Sequence, residues 1–461
     1  MKITLLLSCI VGLLTAQEPL ALTLQDALTL ARENNIALKQ ARTSYEKATA
    51  QAREAKATAW PVISTFAQGT KNLSIASQPL SFPIPFGQLD GNGNPVPLPN
   101  DPFHQMTDLF FVDVDIPFGN DNNIIYGFSL TQPLFDGRVL AAVRSAGTYR
   151  IVAESALAAA ENTMIEQTTV QYYTALVTSH VLDVMKESLE LAKKHLQDTR
   201  ALYQSGKVAE LSVIQAEVRV ANAETQVSQT RKTVELTQAM LKRTCGIDFD
   251  QSLILTEPLN PVIIDLPAYQ DLVKALKANQ PVLKQLEASQ KLMKENILLK
   301  KAEFMPSLAL TGSYSQQLPY NDGEYDPGDF RKSSSIGLGI TIPLFNGFGS
   351  KARLDQAKAD YTNASYSYKD TESALILELS QLYYSAREAA TRISAMQKQV
   401  SQARRGVEIA QSLFQKGMAT NLEYQDATNG LRQAELGLSQ AYLEYHTAIA
   451  GLRRAIGKTL F

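Results

Sequence analysis

Short segments in which apolar residues alternate with small or polar ones occur in both halves of the chain. The apolar positions of three such segments are Tyr126, Phe128 and Leu130, then Leu308, Leu310 and Tyr314, and finally Ile336, Leu338, Ile340 and Ile342. A period of two residues places successive side chains on opposite faces of a β-strand. A fourth segment, after Trp60-Pro61, alternates less regularly. The pattern therefore predicts four strands, each with an apolar face and a small or polar face.

Long proline-free stretches follow the strands. No proline lies between Pro133 and Pro258 or after Pro343, and both stretches are rich in the helix formers Ala, Gln, Glu, Leu, Lys and Arg. The predicted long helices and their return helices are 137–203 with 208–244, and 347–414 with 420–456. Shorter helices are predicted at 24–59 and 268–303. The long helices far exceed the usual globular length of about 11–12 residues, so we expect coiled-coil packing.

These elements form two copies of one unit. The strand-to-helix joint Thr131–Gly137 recurs as Thr341–Gly347, and residues downstream of the joints stay about 211 positions apart. We expect a first repeat at 17–257 and a second at 258–461. Each would contain a helix, two strands, a long helix and a return helix. The first also carries a long proline-rich loop at 72–123, and loops of that size without regular structure are usually functional or disordered.

The amino terminus is typical of a secretory signal. Lys2 precedes the apolar stretch Ile3–Leu14, and the sequence predicts a signal peptide at 1–16. A lipoprotein interpretation centred on Cys9 is disfavoured, because apolar residues continue well beyond it. After cleavage only Cys245 remains, which excludes an intramolecular disulfide.

The charge balance and the absence of long apolar runs restrict the class of protein. The chain has 44 basic and 46 acidic residues, and this near balance argues against a nucleic-acid or anionic-lipid partner for the chain as a whole. No later segment is apolar enough for a transmembrane helix. The strands suit either a membrane barrel or a sandwich with one wet face. In a membrane, four strands cannot close a barrel, since the smallest need about eight, and open edges are not tolerated. A symmetric trimer would supply twelve.

The two joints, the two helix-hairpin tips and the duplicated strands, in this order, resemble the outer-membrane efflux family, the TolC-like exit ducts. The resemblance covers nearly the whole mature chain. It implies an α+β membrane protein in the bacterial outer membrane: a trimeric 12-stranded β-barrel, four strands per chain, continued by a long periplasmic α-helical barrel. The implied function is a passive duct of a tripartite efflux or type I secretion system, with a periplasmic membrane-fusion adaptor and an inner-membrane transporter as partners. The alternative is an exported coiled-coil structural or adhesin protein without channel activity.

The resemblance also implies a periplasmic gate at the second hairpin tip, at Glu423 and Asp426. These residues lie three apart on one helical face, and in a trimer each would form a ring of three carboxylates that favours cations. The alternative is an acidic pair that complements a helix N-terminus. Family members can carry arginine at the position of Ala419, so a lock on the mouth would need other residues, such as Lys207 or Lys416.

Gly206 and Gly417 are interpreted first as turn residues between long and return helices. The resemblance adds contact with the adaptor for Gly206, Lys207, Gly417 and Met418. Nearby apolar residues would pack either on a partner helix or inside the coiled coil. They are Val208, Leu211, Met418 and Leu422.

At each joint a proline ends the strand and a polar residue can cap the first helical turn. The joint residues are Pro133, Asp136, Gly137, Pro343, Asn346 and Gly347. Trp60 suits an anchor at the membrane interface. The pairs Tyr172-Tyr173 and Tyr383-Tyr384 are expected to pack between helices.

Catalytic and cofactor motifs are not found in the sequence. The four histidines are scattered, without metal-ligand spacing. The segment 90–94 begins like a calcium loop, but Pro95 occupies the position that needs glycine. We therefore expect no enzymatic activity, no cofactor and no resident metal.

Overall fold

The computed structural model describes residues 19–85, 92, 109–117, 119–323 and 326–457. The predicted signal peptide at 1–16, Cys9, and the calcium-like segment apart from Asn92 lie outside these residues. Within the described part of the chain, no helix is both long enough and apolar enough to span a bilayer. The described residues form two compact units. The helical unit comprises 19–53, 144–297 and 355–457, and the strand unit comprises the remainder.

Helices account for most of the chain. Their bounds are α1 Leu24–Asn34, α2 Ile36–Ala57, α3 Gly137–Gln204, α4 Glu210–Cys245, α5 Tyr269–Asn279, α6 Pro281–Ala302, α7 Gly349–Gln415 and α8 Asn421–Ile456. The two long helices, α3 and α7, contain 68 and 67 residues. At about 1.5 Å per residue each is about 100 Å long. The predicted long and return helices agree with these bounds to within about two residues, the scatter between assignment methods.

The two shorter helices are divided, contrary to the sequence prediction. The first is interrupted at Asn35 and the second at Gln280. The Asn35 side chain accepts the Leu38 amide at 3.1 Å, capping α2, and donates to the Thr244 carbonyl at 3.1 Å, near the end of α4. Gln280 donates in the same way to two carbonyls at the end of α8, at 2.9 and 3.1 Å. Each break therefore fastens a short helix to the return helix of its own repeat.

The core of the helical unit is built from equivalent positions of the two repeats. Tyr172 is fully buried and Tyr383 is 9% exposed, which confirms the predicted packing of these two residues between helices. Tyr173 is half-buried and stacks on His446, with ring centroids 3.5 Å apart. Tyr384 is 60% exposed in the chain, so the prediction of core packing was wrong for that residue. Adjacent helical positions point about 100° apart, so the two rings of each pair face different surroundings.

Two short strands that the sequence did not predict complete the helical unit. They are β1, Leu20–Leu22, and β6, Leu253–Leu255, and they pair in parallel. The Tyr172 hydroxyl donates to the Leu22 carbonyl at 2.8 Å and accepts the Glu257 amide at 3.3 Å. This hydroxyl therefore ties the strand pair to the long helix α3.

The strand unit contains a four-stranded antiparallel sheet. Its strands are β2 Val62–Lys71, β5 Asn122–Phe135, β7 Ser307–Tyr320 and β8 Arg331–Thr341, in the order β2-β5-β7-β8. The four predicted strands are thus confirmed, and the registers are continuous apart from an irregularity in β5 between Pro133 and Phe135. The apolar side chains of β8 are exposed, at 79% for Ile336 and 68% for Leu338. The sheet has edges at β2 and β8.

The long loop 72–123 contains regular structure. It includes an antiparallel pair formed by β3, Ser77–Pro85, and β4, Leu109–Pro117. The proline-rich composition had indicated a loop, and the paired strands correct that expectation. Prolines are compatible with a two-stranded ribbon because half of its backbone N–H groups point away from the partner strand.

Candidate functional site at the hairpin tips

Both hairpin tips turn on a glycine in the left-handed conformation. Gly206 has φ 72° and Gly417 has φ 74°. The Gly206 and Lys207 amides donate to the carbonyls of Tyr203 and Leu202, both at 2.9 Å. The second tip repeats this pattern, a Schellman motif that ends the long helix. The turn role of both glycines is therefore confirmed. A Cβ added at either position would meet no atom within 4 Å.

Glu423 forms a capping box at the start of α8. Its carboxylate accepts the Thr420 amide at 2.7 Å and the Thr420 hydroxyl at 3.0 Å, while the Thr420 hydroxyl accepts the Glu423 amide at 3.2 Å. These hydrogen bonds lower the pKa of Glu423. Asp426 is exposed on the same helical face. The helix-terminus interpretation thus accounts for Glu423 within one chain, and the gate remains a prediction. At the first tip, Ala209 precedes α4 and makes no side-chain cap.

Of the four apolar tip residues considered above, Val208 is half-buried and the other three are exposed. Met418 is 74% exposed, Leu422 64% and Leu211 62%. Ala419, by contrast, packs on a small core formed by Val407, Phe414, Tyr424 and Leu431. The exposed residues form no part of the core of their own chain and are available to another one.

A polar network that was not predicted from the sequence joins α8 to α3 and α4. His195 on α3 is 2% exposed and its Nε2 is hydrogen-bonded to the Asn421 side-chain oxygen. That oxygen also accepts from Gln425 at 3.0 Å, and Arg219 on α4 donates to Gln425 at 2.7 Å. Burial lowers the pKa of His195. Because the Asn421 side-chain oxygen can only accept, the His195 Nε2–H is the donor in this hydrogen bond.

The scattered histidines had suggested no role for His195, because its partner Asn421 lies 226 positions away. A groove of about 760 Å³ lies along the network, lined by Arg219 and Arg432 among others. Burial, followed by the charge of Arg432, lowers the pKa of Arg219. The ion pairs among the described residues include neither Lys207 nor Lys416. Hydrogen bonds from Arg219 to Gln425 and from Arg432 to Gln226 therefore join the return helices of the two hairpins.

The two strand-to-helix joints adopt different conformations. At the first, Asp136 accepts the Arg138 amide at 2.8 Å and pairs with its guanidinium, and α3 begins at Gly137. At the second, α7 begins two residues later than predicted, at Gly349. Gly347 and Phe348 precede it, each with φ 65°.

Among the described residues, no group of three or more His, Cys, Asp or Glu side chains is arranged to hold a metal ion. The arrangement at the tips consists of capped helix ends, exposed apolar residues and an inter-helix polar network.

Comparison with known proteins identifies the group to which this architecture belongs. The family model "Outer membrane efflux protein" matches residues 27–246 and 272–458. The chain is 22% identical over 332 residues to outer membrane protein TolC of Vibrio cholerae, covering 72% of this chain and 76% of that protein. It is 21% identical to alkaline protease secretion protein AprF of Pseudomonas aeruginosa, covering 70% of this chain and 68% of AprF.

Solved structures share the fold. The CmeC outer membrane channel of Campylobacter jejuni superposes with a TM-score of 0.75 at 19% identity, over 94% of this chain and 85% of CmeC. The outer membrane protein VceC of Vibrio cholerae gives a TM-score of 0.73 at 20% identity, over 95% of this chain and 97% of VceC. Since the family model matches both repeats, including the long helices, the hairpin tips and both joints, this chain belongs to the outer membrane efflux protein family.

Proposed function

We propose that the protein is the outer-membrane channel subunit of an efflux or type I secretion system. It acts as a passive exit duct, and its transport energy comes from an inner-membrane pump reached through a periplasmic adaptor. The observation that carries the proposal is the four-stranded sheet, whose outer strands β2 and β8 have unpaired edges and whose β8 exposes a row of apolar side chains. Such a sheet is stable in lipid only when its edges are closed.

Closure by three copies accounts for both edges. In a homotrimer, β8 of one subunit pairs with β2 of the next, and the twelve strands form one barrel. The apolar face of β8 then contacts lipid, while Gly337 and Gly339 face the lumen. The two repeats, 17–257 and 258–461, contribute equivalent strand pairs and hairpins, and residues 1–16 are removed on export.

We assign two tasks to the hairpin tips. Glu423 and Asp426 form carboxylate rings that narrow the mouth and favour cations. The exposed residues Lys207, Leu211 and Met418 meet the helical hairpin of the adaptor, alongside Gly206 and Gly417. Their exposure within the chain supports this assignment.

The test is single-channel conductance of the purified trimer in a planar bilayer. We expect a small conductance that favours cations. The double variant Glu423→Gln/Asp426→Asn removes both charges, while Gln at position 423 can preserve the capping box. Loss of cation preference is therefore expected in this variant. Glu423→Ala/Asp426→Ala removes the charges and the cap together.

Two comparisons separate the possible causes. If only the alanine variant changes the current, Glu423 acts through the helix cap, and the gate assignment is wrong. Glu210→Gln, at an exposed acid in the first turn of α4, is the matched control and should leave selectivity unchanged. Folded trimers that insert but carry no current would contradict the channel and favour a coiled-coil structural protein.

A further inference from the structure

One of the differences between the duplicated joints has no explanation within the chain. Arg138 of the first joint corresponds to Phe348 of the second. Arg138 is paired with Asp136 at 2.8 Å. Phe348 instead has φ 65° and follows a glycine with φ 65°. A bulky residue in this conformation is a backbone outlier, and such strain persists where the surroundings or a function maintain it.

Burial within the chain does not account for the strain, because Phe348 is 70% exposed. Its ring packs edge-on against Phe345, at 5.4 Å between centroids and 90° between planes. Phe345 is itself 76% exposed and Leu344 92% exposed. The unusual backbone therefore places two aromatic rings side by side on the surface.

A shallow groove of about 210 Å³ lies against this pair. It is lined by Phe304, Phe345 and Phe348 on its apolar side and by the exposed Lys351 among its polar residues. Glu303, also at the groove, is engaged by Arg353 at 2.7 Å and by Ser350 at 2.9 Å. The charge of Lys351 is thus not neutralised by that carboxylate, and the groove combines an apolar wall with a cationic rim.

The strand registers place this groove at one end of the sheet. Ser307 of β7 pairs with Thr341 of β8, and Phe135 of β5 pairs with Leu308. At the same end, Val62 of β2 pairs with Thr131. Trp60 lies two residues before Val62 and is 72% exposed. Exposed aromatic residues therefore occur at both edges of the sheet where the strands meet the helices. Aromatic residues concentrate at this level of membrane barrels, where hydrocarbon meets water.

We propose that Phe345, Phe348 and Lys351 form a binding site for a phospholipid at the periplasmic boundary of the outer membrane. The acyl chain would lie on the two rings and the phosphate against the Lys351 ammonium. The site is continuous with the lipid-facing side of β8, and it rests on the proposed barrel. The first joint, with its internally paired Arg138, lacks the second aromatic ring. A trimer therefore carries three such sites and not six.

Fluorescence quenching by brominated phospholipids tests the proposal in the full-length trimer. Trp60 is the single tryptophan, so Trp60→Phe provides a silent background. Phe348→Trp then reports on the site, in vesicles of phosphatidylglycerol brominated either near the headgroup end or near the tail end of the acyl chain. We expect loss of emission with both lipids, and a greater loss with bromine near the headgroup.

Two reporters make the outcome interpretable. Leu338→Trp, on the exposed face of β8, reports insertion of the barrel, and Tyr384→Trp, an exposed position of α7, should not be quenched. Quenching at 338 without quenching at 348 would overturn the lipid site and leave the barrel intact. A blue-shifted but unquenched emission at 348 would assign the rings to a subunit interface and also overturn it. No quenching at 338 would contradict the proposed barrel itself.

A second variant separates the ring from the backbone. Glycine adopts φ 65° without strain, so Phe348→Gly removes the ring and should preserve the joint. Phe345→Trp then serves as the reporter. We expect Phe348→Gly to reduce its quenching by the lipid brominated near the headgroup end, and the addition of Lys351→Gln to reduce that quenching further. Equal quenching in all three backgrounds would show that no lipid is held there.

Discussion

The hydroxyl of Tyr172 offers a sensitive test of how the helical unit is held together. It is fully buried, it donates to the Leu22 carbonyl, and it accepts the Glu257 amide. Tyr172→Phe removes only this oxygen. The Leu22 carbonyl still accepts two hydrogen bonds in this variant, because the Thr256 amide and hydroxyl donate to it at 3.2 and 3.3 Å. The Glu257 amide loses its acceptor.

The expected magnitude follows from that difference. A buried donor left without a partner costs about 1–3 kcal/mol. Since the Glu257 amide is only partly buried, we take a value near the lower end, about 1.4 kcal/mol, which corresponds to about tenfold in an equilibrium constant. Local opening around residues 253–257 should become more frequent by the same factor.

Hydrogen–deuterium exchange of the trimer, followed by mass spectrometry on peptides that cover 253–258, measures this opening. Exchange at Glu257 should be about tenfold faster in Tyr172→Phe. The matched control is Tyr383→Phe, the same substitution at the equivalent position, where the hydroxyl makes no hydrogen bond to the described residues. Equal acceleration in both variants, or none in Tyr172→Phe, would refute the reasoning.

Three further perturbations follow from the contacts described above. Gln280→Ala deletes one buried and one part-buried hydrogen bond to the end of α8 and should destabilise the protein by about 1–3 kcal/mol per chain, measured by thermal unfolding. Burial lowers the pKa of His195; its contribution to stability is therefore complete above the unfolded pKa of about 6.5 and is lost as pH falls below it. Limited proteolysis of the second hairpin tip should increase from about pH 7.5 to about pH 5.5. Gly457→Ala should lower the melting temperature more than Gly417→Ala, because both have positive φ but only at Gly457 would a Cβ lie 2.8 Å from the Asn279 carbonyl oxygen.

Each of these expectations has its own control. The control for Gln280→Ala is Gln290→Ala, which removes a half-buried amide that makes a single hydrogen bond of 3.5 Å. An equal loss of stability in the two variants would contradict the specific role of Gln280. For the pH effect, His195→Phe should abolish the response, since it removes the buried imidazole to which the response is assigned. Acid-induced cleavage that persists in this variant would assign the response to other groups. Equal melting temperatures for the two glycine variants would contradict a steric clash at Gly457.

The sequence predicted the long elements well because their signals are long and repeated. The proline-free stretches contain α3, α4, α7 and α8, and four alternating segments became the four strands of one sheet. The two turn glycines were also found, because positive φ leaves few alternatives to glycine. Periodicity summed over many residues outweighs local ambiguity.

Features that depend on one or two residues were missed. The breaks at Asn35 and Gln280 produce no periodic pattern in the sequence, although Pro281 is a local signal for the second break. The three-residue strands β1 and β6 are too short for an alternating pattern to register. The contact between His195 and Asn421 joins helices from different repeats, so spacing within either repeat could not indicate it.

The parallel pairing of β1 with β6 constrains the order in which the protein can fold. Leu20 lies near the amino terminus, yet its partner is Leu253. The amino-terminal strand therefore has no native partner until more than half of the polypeptide is available to fold. During that interval its unpaired backbone is open to wrong pairing, the characteristic hazard of long-range contacts. β1 can pair with β6 only when residues 253–255 are available, which makes this pairing a late step in biogenesis.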